Sequence, residues 1–185
     1  MSDVLAGLRS IQRAVEDGDA EQSKPTVAYL LGAINATEMP EDKSQLLGFL
    51  ALEYSRFQMH EKELEALKAA IVLWPDNPTP RIALAGSYLL HQQYDKAREA
   101  AESAVTTAEA AGKFRRDALQ TLARSLAKLQ HFVELEKVIE RLMQMKDAMP
   151  DSAIETDFLV GLPPDSISDE VRQAYLSLKE SRSHK

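Results

Sequence analysis

The chain has 185 residues, 44% hydrophobic and 28% charged, enough to bury the core of one ordinary globular domain. With no cysteine, disulfides, thiolate zinc sites and cysteine nucleophiles are excluded. A formal charge of −7, reaching −5 over residues 1–42 alone, argues against nucleic acid, whose phosphates call for a concentrated basic face.

The first fifteen residues carry Asp3, Arg9, Gln12 and Arg13 and no continuous apolar core, so no secretory signal is expected there. No run approaches the roughly 20 apolar residues of a membrane span. A cytoplasmic setting is therefore expected.

Val4, Leu5, Leu8, Ile11 and Val15 have helical spacing and stop at Asp17-Gly18-Asp19. A second helix is expected from about Pro25 through Val27, Leu30, Leu31 and Ile34, with Pro40 closing the pair. Asp42 is a candidate N-cap for the next helix, which carries Leu47, Leu50, Ala51 and Tyr54. Its partner spans Lys62 to Trp74, with Pro75 after it.

The third hairpin is the clearest. Ile82, Leu84, Ala85, Tyr88 and Leu89 form one apolar stripe, and Ala97, Ala101, Ala104 and Val105 form the next. Asp95 is placed to cap the second of these helices. Ala-rich sequence then predicts a long helix up to Gly112. Leu119, Leu122, Ala123 and Leu126 restate the motif, followed by a helix from Val133 to Met145 with a wide stripe of Leu135, Val138, Ile139, Leu142 and Met143. A Pro-marked connection leads to a last helix opened by Ser168, with Val171, Ala174, Tyr175 and Leu178 on one face. It is expected to cover Val138, Ile139 and Leu142; the competing expectation leaves it, or Phe158-Leu159-Val160, open to a partner.

Tyr54 and Tyr88 are 34 residues apart, and Tyr88 and Leu126 are 38 apart, which reads as the same period with about one extra helical turn. Leu84-Ala85, Tyr88, Tyr94, Ala97 and Ala104 stand at the places of a tetratricopeptide repeat, and residues 44–108 resemble that family, with a weaker match over 116–145. The departures are Arg81 where the family often has Trp, Ala85 for Gly, Ala101 for an aromatic, and Glu63 for the small residue that opens a second helix.

The resemblance implies an all-α fold: a tetratricopeptide-like right-handed superhelix of antiparallel helix hairpins, about 2–37, 43–75, 78–110 and 114–147, within a solenoid over 1–148. Residues 149–185 would be a linker and a C-terminal capping helix packing back on it. It also implies a non-catalytic protein-interaction module, or more narrowly a dedicated chaperone or assembly subunit, that holds a peptide or partner segment in a concave groove lined by first helices. Here that lining would be Gln45, Phe49, Leu52 and Arg56, then Ile82, Gly86 and Leu89, then Gln120, Arg124 and Lys128. Gly48, Leu52, Ile82 and Gly86 stand where some family members use Lys, Asn and Arg to grip a C-terminal carboxylate, so an apolar ligand is expected instead. A second copy meeting the chain through terminal helices is the other partner considered.

No nucleotide loop, zinc-protease motif, hydrolase elbow or calcium loop occurs. Neither cofactor nor metal is expected. Ser87, His91 and Asp95 name the parts of a nucleophilic triad, but Asp95 is accounted for by capping, and a hydrolase is the disfavoured alternative. His60, His91 and His131 fall near the turns of successive hairpins and are expected to be solvated.

Overall fold

The computed structural model describes residues 25–145 and 156–183. The expected helix over Val4 to Val15 and its stop at Asp17-Gly18-Asp19 lie outside the described residues, as do residues 149–155 of the connection and the side chain of Leu178. Among the described residues all regular structure is helical. Two compact units emerge, residues 1–87 and 88–185, with the boundary inside one helix.

The first unit holds α1 (Pro25–Ala36), α2 (Pro40–Arg56), α3 (His60–Leu73) and most of α4 (Thr79–Leu90). Pro40 opens α2 as its first residue, a place where the missing amide costs nothing. Asp42 is not the cap: Met39 holds that position without a side-chain bond, and Asp42 lies in the first turn beside Glu41, where acids suit the helix dipole. Leu47, Leu50, Ala51 and Tyr54 are buried on α2, and Ala66, Leu67 and Ala70 on α3. Ser44 Oγ donates to the Ala70 carbonyl at 2.8 Å, a buried link between these two helices. Asn77 caps the start of α4 by accepting from Thr79 N at 3.2 Å. Arg81, at the family's Trp place, donates to the Pro75 carbonyl at 2.6 Å, and burial lowers its pKa despite the opposing pull of Asp76.

The second unit holds the end of α4, α5 (Tyr94–Ala111), α6 (Arg115–Leu129), α7 (Phe132–Gln144), 3-10 turns at Asp157–Leu159 and Pro164–Ser166, and α8 (Asp169–Ser183). Asp95 does not cap α5, because the helix starts one residue earlier, after Gln93, and Asp95 sits in its first turn. The long α5 ends on Gly112 at φ +68°, whose amide bonds back to the last turn. The face α5 buries is almost all alanine: Ala97, Ala101, Ala104 and Ala108 are each 0% exposed. Such small side chains let the backbones come close, and α5 packs along α6. Leu135, Val138, Ile139 and Leu142 are buried on α7, against which α8 packs. Ser168 caps α8 by accepting from Val171 N at 3.4 Å, and its own hydroxyl donates to Glu136 Oε1 on α7 at 2.5 Å.

Among the described residues one turn closes three hairpins with glutamine at its pivot. Met59 N donates to the Tyr54 carbonyl, Gln93 N to that of Tyr88 and His131 N to that of Leu126, each at 2.9 Å. Directly before each donor stands a glutamine in the left-handed region, Gln58, Gln92 and Gln130, at φ 58°, 59° and 60°. This is the helix-ending turn that glycine usually serves, built here with glutamine. The residues on which it pivots, Tyr54, Tyr88 and Leu126, are all buried, as the repeat register requires.

Three outcomes follow from this packing. Ala104→Leu has no room for its added carbons, so thermal or denaturant unfolding should show a loss of about 1–3 kcal/mol. Gln92→Gly relieves a left-handed backbone at an exposed position and should raise stability by about 0.5–1 kcal/mol in denaturant unfolding. Burial, and secondarily the Glu65 carboxylate, push the Tyr54 phenol from the usual 10 up to about 12. Below pH 10 the phenol is protonated in both folded and unfolded chains. Above it only the unfolded chain ionises until about pH 12, so stability should fall across that window by up to about 2–3 kcal/mol more in the parent than in Tyr54→Phe.

Candidate functional site

On α2, Gln45, Phe49, Leu52 and Arg56 follow one another at steps of four, three and four, which places them on one stripe opposite the buried Leu47, Leu50 and Tyr54. All four are exposed, Phe49 by 59% and Leu52 by 51%. Gly48 stands between them, and a Cβ built there would meet nothing within 4 Å. The result is an open apolar surface with a hollow beside an aromatic ring. Arg56 is held at its end by Glu53, 2.6 Å away. Ile82 and Gly86 on α4 are half-buried, and the space over Gly86 is likewise open.

In the second unit the expected lining divides. Leu89 and Arg124 are half-buried and Lys128 is exposed, and all three border one cavity of about 250 Å³. Gln120, expected on an open face, is only 2% exposed and Thr121 only 5%, so α6 is enclosed at that turn, where a groove surface was expected. The segment Asp157–Leu162 also lies on α6: its 3-10 turn packs there, and Asp157, Phe158, Val160, Gly161 and Leu162 complete the cavity wall. Arg124 Nε donates to both carboxylate oxygens of Asp157, at 3.3 and 3.1 Å. Phe158 and Leu159 are buried, with the Phe158 ring 5.7 Å from that of Tyr175, while Val160 is 82% exposed.

The relative strengths of these contacts are clear. Burying a Phe or Leu side chain contributes about 1.5–3 kcal/mol, whereas a solvent-exposed ion pair contributes about 0.2–1. Phe158 and Leu159 therefore hold the segment, and Arg124 with Asp157 sets its register. The sequence pointed to Phe158-Leu159-Val160 as an apolar run; the role of Asp157 was missed, because a single acid gives no signal until Arg124 is seen facing it.

Ser87 is 3% exposed and its Oγ lies 3.5 Å from Nδ1 of His60, on α3. The same Nδ1 is 3.6 Å from Glu63 Oε2, itself buried. His60 is thus packed between side chains and is not a solvated turn residue. A relay needs the hydroxyl on one ring nitrogen and the carboxylate on the other. Here both converge on one nitrogen, and the hydroxyl belongs to a buried residue. The arrangement suits packing.

Among solved structures, the first tetratricopeptide domain of Spaghetti (RPAP3), bound there to the HSP90 peptide SRMEEVD, is similar over 75% of this chain and 97% of its own length, with a TM-score of 0.54 and 16% identity. The chain has the tetratricopeptide-repeat fold. At that identity the tetratricopeptide likeness is one of fold alone. No family model matches the sequence, and no curated protein does. Within this fold α2, α4 and α6 are the first helices of hairpins, and they carry every residue of the expected lining. Among the described residues no helix is long and apolar enough to cross a membrane.

Proposed function

We propose that the protein is a non-catalytic interaction module that binds a peptide or partner segment on the exposed faces of its first helices. The observation that carries this reading is the α2 stripe, where Phe49 and Leu52 stand open to solvent beside the open space over Gly48. Large apolar side chains clustered on a helix face lose free energy in water and gain it when a partner covers them. The likeness to a repeat domain seen with a bound peptide supports the same class of ligand. The chemistry of that ligand differs. Gly48, Leu52, Ile82 and Gly86 offer no charge for a terminal carboxylate, so the partner is an amphipathic helix or extended segment with hydrophobic anchors.

A hydrolytic function has little to rest on. Ser87 is buried, and its neighbouring imidazole nitrogen also faces Glu63.

Leu52→Glu provides the test. It places a charge in the stripe without entering the core, so the melting temperature should stay within a few degrees of the parent while retention of captured partner from a cell extract falls about tenfold or more, as a desolvated charge costs at least 1.4 kcal/mol. Equal retention by parent and variant, measured by quantitative capture, would remove the α2 stripe from the binding surface.

A further inference from the structure

The segment Asp157–Leu162 sits on α6 in the manner of a bound peptide. It sets one carboxylate on Arg124, buries Phe158 and Leu159, leaves Val160 outside, and turns at Gly161, φ +79°. It does not fill the face: a cavity of about 250 Å³ remains beside it, walled by apolar Leu89, Ala127 and Leu162 and edged by Lys128. Arg124 and Lys128 both border this space, and the segment sets the Asp157 carboxylate at its edge. That is a surface shaped for an acidic residue followed by bulky apolar ones, with room beside them for a larger ligand.

We propose that Asp157–Leu162 is an internal occupant of a peptide-binding face in the 88–185 unit. The external ligand is a partner segment of matching chemistry, an acidic residue followed directly by two large apolar residues. This rests on the interaction-module reading and deepens it by naming the ligand class and its regulation. Binding proceeds by exchange: Arg124 passes from Asp157 to the partner's carboxylate, and the partner's apolar pair replaces Phe158 and Leu159. Because the competitor is tethered, its effective concentration is high, and a free peptide sees only the fraction of molecules with the face open. Partners able to fill the remaining cavity and reach Lys128 are the ones that win the exchange.

The test uses the full-length chain and a fluorescein-labelled peptide copying residues 156–163, with affinity read by fluorescence polarisation. Phe158→Ala withdraws the main internal anchor and should raise peptide affinity about tenfold or more over the parent, and Asp157→Lys, which repels Arg124 but leaves the apolar pair, should raise it roughly threefold. Adding Arg124→Glu to Phe158→Ala should weaken binding about tenfold, and a peptide with Lys in place of its Asp should recover it. Asp157→Lys keeps every apolar contact, so it reports even if Phe158→Ala fails to fold. Parent and both released variants binding the peptide equally, or none binding it, would overturn the proposal. So would released variants that double in mass by light scattering without taking up peptide, since the occupant would then be a second copy. Val72→Ala, an exposed change on α3 in the other unit, should bind this peptide as the parent does. Capture that depends on Leu52 with no peptide binding sinks this inference alone, and peptide binding with capture indifferent to Leu52 sinks only the α2 assignment.

Discussion

Among the described residues three hairpin turns are each closed by one backbone hydrogen bond, from the amide of Met59, Gln93 or His131 to the carbonyl of Tyr54, Tyr88 or Leu126 five residues earlier. That bond fixes how a first helix ends, and so where the second begins. Its acceptor residue is buried in every case, which couples the turn to the core: the side chain that anchors the first helix belongs to the residue whose carbonyl sets the reversal. The cost is a left-handed glutamine in each turn, about 1–2 kcal/mol of backbone strain that only surrounding packing holds in place.

From that constraint the two faces of each first helix follow. On α2 the buried side is Leu47, Leu50, Ala51 and Tyr54, and what the turn does not enclose is Phe49, Leu52 and the hollow over Gly48. On α6 the outer side is partly covered, because the turn at Asp157–Leu159 packs on it, and a cavity remains beside that turn. The two units therefore offer different situations to a ligand, one face standing open and the other already partly occupied.

Much of this could be read from residue order. Alanine and leucine recurring with tyrosine at a 34-residue interval indicated the hairpins, and the structure has them as helices with Tyr54, Tyr88 and Leu126 inside. The extra turn inferred near Gly112 is the length of α5, 18 residues. The turns themselves were less readable. Gln58, Gln92 and Gln130 recur with the same intervals, but glutamine carries no preference for positive φ, and the usual signs of a helix end are glycine and asparagine. Asp42 and Asp95 were taken as caps because acids favour both the cap and the first turn, and only backbone angles separate the two places. Gln120 and His60 look like surface residues by type. Gln120 is 2% exposed and His60 half-buried, the latter beside Ser87, 27 residues distant in sequence, and local pattern carries no trace of that.

The alanine face of α5 has an effect on how this chain can change over generations. At Ala97, Ala101, Ala104 and Ala108 any bulkier residue collides and the sole smaller one, glycine, loosens the helix, so drift has almost nowhere to go. Divergence from distant kin is then channelled to outward positions such as Phe49 and Leu52, and two chains could share this scaffold while retaining hardly any common surface.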